Sequence, residues 1–447
     1  MRIPSIILAL FTASCLYAQT TPHVWTLEEC IDYALEHNIE IKRQDIQVSN
    51  MKINLSDSQW SYAPTLSAGS SYSISSGRAL DQTTYEFVEN VAFGSSSASI
   101  SGGTTLFSGL RRYYALKRSQ ASLKASLADL ESLRSNVEIS VMTAYLQVLC
   151  NYENLVSARE TASLLETQIE KVAAWVELGR VTEADLLQIR SQHYAALNDV
   201  ATAEGQLLMA KMELCQLLDL DEYESFTAAP IQVGGADSME LFPAADTLSI
   251  FSRPEYRSAE LGTDIARRDL QITRSAYYPT LSLSAGYGTS HSAARQRAIQ
   301  NPDGTFRYEA YPFFQQYLDN GSSYLSLSLS IPIFSGMSIR NNVKRAKNAY
   351  LDAQYGILTV KKKLAKDYEQ AIIEYRTSFQ QYQTAKEQLS YAQEAARQIT
   401  EKYNLGKVDF TAWNTTMTEL ARAKYALNNS AYINEMAKRR IKILRNL

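Results

Sequence analysis

Any chemistry in this chain would have to come from its histidines, cysteines or clustered acids, and their spacing supports none. His23, His37, His193 and His291 fall near the leader, in two helical stretches and in a loop, with no Gly-x-Ser-x-Gly or His-Glu-x-x-His around them. A hydrolase housed in a barrel needs a nucleophile, a base and an orienting acid, so no catalytic or cofactor-binding residue is assigned. Cys15 sits in the leader, and Cys30, Cys150 and Cys215 leave an odd number without a C-x-x-C or a histidine at metal spacing. They read as apolar helix positions, with no metal ligands among them. Asn301-Pro-Asp-Gly304 lacks the spaced acids and closing Glu of a calcium loop and reads as a turn. What remains is two short glycine turns, Gly179-Arg180-Val181 and Gly406-Lys407-Val408, with Glu183, Asp185 and Asp409 close behind them. Glycine tolerates the positive φ that turns a chain out of a helix, and a valine beside a cation offers a partner helix one apolar and one charged contact. That is recognition chemistry.

The 447 residues are 45% hydrophobic and 20% charged, with a net charge of -3, which argues against nucleic acid as partner. Only 18 glycines and 10 prolines interrupt the chain, so most of it can be helix, while 28 tyrosines suit an interfacial belt. Arg2 before the apolar run Ile6 to Phe11, with Ala18 ahead of Gln19, predicts a signal peptide over 1–18 and export. Cys15 after Thr12-Ala-Ser14 is an alternative lipidation site. No other stretch approaches 18 uninterrupted apolar residues, so a bilayer could be crossed only by strands.

The strand pattern is explicit at Leu325, Leu327, Leu329 and Ile331, which alternate with Ser326, Ser328 and Ser330. A period of two places the leucines and isoleucine on a lipid-facing side and the serines toward water. A second alternation follows Pro64, and a Ser/Gly-rich strand runs from about Phe93 to Phe107. Thr26-Leu-Glu-Glu29 is a capping box that opens the N-terminal helix, and Pro64 stops it. After Gly109 a long helix carries Leu123, Leu127, Leu130, Val137, Val141, Ala144 and Val148 at steps of four and three, the seam of a coiled coil. About 70 residues at 1.5 Å each make a rod of roughly 105 Å. Asp219 to Phe251 reads as irregular.

The plan occurs twice. Pro64-Thr-Leu-Ser67 recurs as Pro279-Thr-Leu-Ser282 after 215 residues; Leu106-Phe-Ser-Gly109 and Leu178-Gly-Arg-Val181 recur as Ile333-Phe-Ser-Gly336 and Leu405-Gly-Lys-Val408 after 227. The extra 12 residues fall in the second hairpin loop, about Thr289 to Ser323, which marks its free end. Its aromatics, Phe306, Tyr308, Tyr311, Phe313 and Phe314, suggest a lid or partner surface. The expected organisation is a first repeat over 19–235, with hairpin 64–107, long helix 109–178 and return helix 182–218. The second repeat, 236–447, has helix 253–278, hairpin 279–334, long helix 336–405 and C-terminal helix 409–444. The fold class is mostly α with a small β part: long antiparallel coiled-coil helices forming an α-barrel, plus four strands per chain. Four strands cannot close around a passage, whereas small membrane barrels begin at eight, so several copies must combine.

Thr26 to Asn38, the paired Pro-Thr-Leu-Ser strand starts, the paired Phe-Ser-Gly strand ends and the paired Leu-Gly-[Arg/Lys]-Val turns resemble those of the TolC-like outer-membrane efflux proteins. The resemblance covers nearly the whole mature chain. It implies a homotrimer with a twelve-stranded β-barrel in the outer membrane and a helical tunnel in the periplasm. It further implies a periplasmic adaptor protein and an inner-membrane pump as partners, met at Gly179, Arg180, Val181, Gly406, Lys407 and Val408. The family narrows its tunnel with aspartates six and nine residues past the second glycine; here Ala412 and Thr415 stand there. Glu183, Asp185 and Asp409 are the acids left to build a constriction, where copies of a carboxylate around one axis favour cations. A structural or adhesin-like trimer without through-transport is the alternative reading.

Overall fold

The computed structural model describes residues 23–80, 87–88, 92–231, 233, 239–242 and 251–446. The expected signal peptide, Cys15 and the repeat boundary at 235/236 lie outside them. In chain order the elements are β1 (Val24–Trp25), α1 (Leu27–His37), α2 (Ile39–Trp60), β2 (Thr65–Ser75), β3 (Ala79–Leu80), β4 (Phe87–Val88), β5 (Phe93–Ser108), α3 (Arg111–Glu177) and α4 (Glu183–Leu218). There follow β6 (Thr227–Ala228), α5 (Pro254–Arg274), β7 (Thr280–Ser292), β8 (Gln296–Gln300), β9 (Phe306–Ala310), α6 (Phe313–Asp319), β10 (Ser322–Ser330), α7 (Ser338–Asn404) and α8 (Phe410–Asn446). The two long helices, α3 and α7, each have 67 residues. Helix dominates and the strands are few, as the composition requires.

The chain divides into two compact units that cut across the sequence duplication, because each long helix contributes to both. One contains Met1–Arg43, Glu131–Ile250 and Leu364–Leu447; the other Gln44–Leu130 and Phe251–Lys363. In the first unit, α1 opens with the expected capping box: Glu29 N donates to Thr26 Oγ1 at 3.2 Å and Thr26 N to the Glu29 carboxylate at 2.9 Å. The single N-terminal helix expected from the pattern is broken at Asn38, whose ψ of 129° is not helical. Buried Asn38 repairs the break by accepting from Glu40 N and Ile41 N, while its amide donates to the Leu217 carbonyl at 3.0 Å. The irregular segment after α4 holds a strand: β6 pairs in parallel with β1, and fully buried Tyr145 of α3 directs its hydroxyl at the carbonyls of Trp25 (2.9 Å) and Ala229 (2.8 Å).

In the second unit four strands form one sheet in the order β10-β7-β5-β2, antiparallel throughout. Both hairpins therefore join into one wall, with β2 and β10 as its edges. The handover from sheet to long helix uses the same backbone device twice. Gly109 and Leu110, then Gly336 and Met337, are consecutive left-handed residues with φ between 58° and 66°. Leu110 and Met337 adopt a conformation side chains disfavour. At Gly109 a side chain would also collide with Tyr278 and the Ser275 carbonyl.

Several expectations shift. Strand β10 ends at Ser330, so Ile331 lies outside the strand expected to face lipid. Its partner β7 starts at Thr280, opposite Ser330, and Pro332 has no amide to extend the ladder. On α3, Leu130, Val137, Val141, Ala144 and Val148 are buried, but Leu127 is 45% exposed and Ser119, Ala121, Ser126 and Ala128 are the buried positions before Leu130. A straight α-helix drifts about 20° per heptad against a 3.5-residue repeat, so a fixed seven-residue track leaves the packed face. Helix α5 stops at Arg274 and a 3₁₀ turn covers Ser275–Tyr277. The stretch from Thr289 to Ser323 is no open loop: it contains the end of β7, the β8–β9 hairpin and α6.

Burial pushes the Tyr145 phenol above its ordinary range. A raised pKa stabilises the fold at pH values below the unfolded value of about 10, and that contribution is lost as pH rises through the folded value. We expect Tyr145→Phe to cost about 1 kcal/mol at pH 7, measured as denaturation of the purified protein, and to remove this tyrosine's share of the stability lost above pH 10.

Candidate functional site

The first unit brings the two glycine turns together. Both long helices end in the same hydrogen-bonded motif: Arg180 N donates to Trp175 O (2.8 Å) and Gly179 N to Val176 O (2.9 Å); Lys407 N donates to Lys402 O (2.9 Å) and Gly406 N to Tyr403 O (2.9 Å). With φ of 68° at Gly179 and 69° at Gly406, these are Schellman ends, which glycine forms without strain. The next helices are capped differently. Thr182 and Asp185 form a reciprocal capping box, with Thr182 N donating to the Asp185 carboxylate at 3.0 Å. Asp409 caps α8 alone, accepting from Ala412 N at 2.9 Å, since Ala412 supplies no returning carboxylate. Two of the three acids considered for a constriction thus hold helix N-termini, and Glu183 adds negative charge to the same first turn.

Beneath the turns lies an aromatic core that sequence spacing did not single out. Trp413 is fully buried, stacked on Tyr403 with ring centroids 5.4 Å apart, and Phe410 and Trp175 pack around them. Trp413 Nε1 donates to Thr400 Oγ1 at 3.1 Å. Val181, Leu186 and Val408 pack against the same cluster, so residues from both turns share one core. The available signal was four aromatics within ten residues of a turn glycine. Burial, with the Asp185 carboxylate nearby, pushes the Tyr403 phenol up, and its hydroxyl has no partner among the described residues.

The second unit carries a different surface. The register places Thr65, Ser67, Ser71 and Ser73 of β2, Ser95 to Ser101 at odd positions of β5, Ser282, Ser284 and Ser290 of β7, and Ser326, Ser328 and Ser330 of β10 on one face. Apart from Phe93 and Tyr324, that face holds only serine, threonine and glycine. Its hydroxyls pair across strands, Ser71 with Ser97 and Ser73 with Ser95 at 2.8 Å. Leu66, Ile74, Ile100, Leu281, Leu283, Leu325, Leu327 and Leu329 share the opposite face. The four strands contain no Asp, Glu, Lys or Arg. Leu66 and Leu325 are each 75% exposed, so this apolar face is uncovered.

The three described cysteines are buried free thiols, and burial pushes Cys30 to about 12 and Cys150 and Cys215 to about 11. They stay protonated at neutral pH, and Cys150 Sγ donates to Asn429 Oδ1 at 3.0 Å. We expect Trp413→Ala, which empties the core under both turns at a cost of about 3–5 kcal/mol, to speed amide exchange at Gly179–Thr182 and Leu405–Asp409 together by about a hundredfold to a few thousandfold. Exchange in β5 should be unchanged; hydrogen-exchange mass spectrometry measures both.

Known proteins share this design. The sequence pattern of the outer membrane efflux protein family matches residues 30–219 and 248–441. TolC of Escherichia coli K12 is 21% identical over 371 residues, covering 83% of this chain and 71% of TolC. The alkaline protease secretion protein AprF of Pseudomonas aeruginosa is 23% identical over 322 residues, 67% of this chain and 61% of AprF. The crystal structure of the Campylobacter jejuni CmeC outer membrane channel superposes with a TM-score of 0.78 at 18% identity, over 94% of this chain and 85% of CmeC. With both halves matched and the architecture in common, the chain belongs to the outer membrane efflux protein family.

Proposed function

We propose that this protein is the outer-membrane channel of a tripartite efflux or type I secretion system, a passive conduit from periplasm to exterior. The observation that carries this reading is the sheet with one uncharged hydroxyl face and one bare leucine face. Among the described residues no helix is long and apolar enough to cross a membrane, so the crossing falls to this sheet. Its β2 and β10 edges close against those of two further copies; three chains of four strands give a twelve-stranded barrel with serines lining the water and leucines facing lipid. The helices supply the periplasmic part. The passage does no bond-making and takes no cofactor.

Gly179, Arg180, Val181, Gly406, Lys407 and Val408 form the tips that meet a periplasmic adaptor, which links the channel to an inner-membrane pump. The shared aromatic core supports this role, because it makes two turns from distant parts of the chain into one surface. Glu183, Asp185 and Asp409 supply an acidic ring at the same end. Helix capping by Asp185 and Asp409 fixes where their charges sit.

Two measurements test the reading. Purified protein in a planar bilayer is expected to conduct once the tips are opened; no current after forced opening supports the structural or adhesin-like alternative instead. Gly406→Pro replaces a φ of 69° by one locked near -65° and removes the amide that bonds Tyr403 O. We expect it to abolish dye efflux from cells while the protein still assembles in the outer membrane, and unchanged efflux would refute the role of this turn.

A further inference from the structure

The segment between β7 and β10 is anchored to one particular side of the sheet. The register puts Ser96, Thr289 and His291 on the same face as Leu281, Leu283, Leu325 and Leu327. All three touch α6. The Tyr317 hydroxyl bonds Ser96 Oγ at 2.9 Å, Thr289 Oγ1 donates to the Tyr317 carbonyl at 2.7 Å, and the His291 ring lies 4.6 Å from that of Phe313. The fully buried side-chain amide of Gln316 locks the helix to the strand end: it accepts from Ser292 N and donates to Ser292 O, both at 3.0 Å, and donates to Tyr311 O at 2.9 Å. A lid over the bore would have to anchor on the serine face. The side-chain anchors here come from the leucine face.

The exposed surface of α6 has an apolar strip beside the polar pair Gln315 and Asp319. Phe314 and Leu318, one turn apart, are 80% and 77% exposed. On β7 the helix stands beyond Leu281, Leu283 and Tyr287, where the leucine band has given way to Thr289 and His291, the depth of a membrane–water boundary. Its polar side keeps Asp319, which accepts from Gln315 and from the Tyr311 hydroxyl. We propose that α6 lies on the lipid side of the barrel at the outer-leaflet interface, with Phe314 and Leu318 inserted at the boundary between headgroups and acyl chains. Its partner is therefore the lipid surface. Tyr317 and Phe313 fix α6 to the end of the same face that carries the leucines, and a short helix with a wet side and an apolar side suits the plane of that interface. The inference rests on the barrel reading above.

The test uses the full-length protein in phospholipid vesicles, with nitroxide labels on Phe314→Cys, Leu318→Cys, Leu325→Cys and Ser326→Cys and the unsubstituted protein as background. Accessibility to oxygen, which concentrates in lipid, is compared with that to a water-soluble nickel chelate. Labels at 314 and 318 are expected to follow the one at 325, with oxygen accessibility several-fold above nickel, and the label at 326 to show the reverse. If position 325 reports lipid while 314 and 318 report water, α6 projects into solvent and the inference is overturned with the barrel intact. Shielding of 314 and 318 from both reagents means a neighbouring copy covers the helix, which overturns it equally. A water signal at 325 brings down the barrel reading and this inference with it.

Discussion

A backbone amide in hydrocarbon has no water to bond, so an unpaired strand edge there costs several kcal/mol per group. Strands β2 and β10 each present such an edge, on a sheet whose one face is leucine and whose other is serine. Left in water, that sheet would expose its leucines and offer two templates for aggregation. In the channel proposed above, closure with other copies in a bilayer satisfies edges and faces together. The absence of ionic side chains from the four strands follows from the same constraint on the lipid side. On the other side it leaves a face of neutral hydroxyls.

The helical unit answers a different requirement. A helix of 67 residues has four unpaired carbonyls at its end, and both long helices satisfy theirs with a glycine in the left-handed region. The following turn then needs a cap, and Thr182 and Asp409, equivalent in the duplication, each provide one. What binds the two turns is apolar. Trp413, Tyr403, Phe410 and Trp175, drawn from the ends of both helix pairs, pack into one cluster beneath them. Asp185 and Asp409 near these turns owe their positions to capping.

Much of this was legible in the residues. The serine–leucine alternation at 325–330, the glycine turns and the doubled strand and turn motifs are local rules, and local rules are written in the sequence. Other features were not. The break at Asn38 has no proline or glycine to announce it and depends on a bond to Leu217, 179 residues away. The pairing of β1 with β6 involves two residues from each strand, too few for any periodicity. Leu127 fits the heptad track but leaves the packed face, because the drift of a straight helix accumulates over many turns.

The sequence by itself determined the long helices and the four sheet strands, their duplication and the two-faced character of those strands, since each depends on neighbours a few residues apart. Tertiary structure alone decided that the two hairpins share one sheet through β5 and β7, that both turns rest on a single aromatic core, and that α6 is pinned to the leucine face. Each of these joins residues separated by long stretches of chain. Composition and spacing carry no record of which distant surfaces meet; that depends on packing and on hydrogen bonds such as those of Gln316 to Ser292.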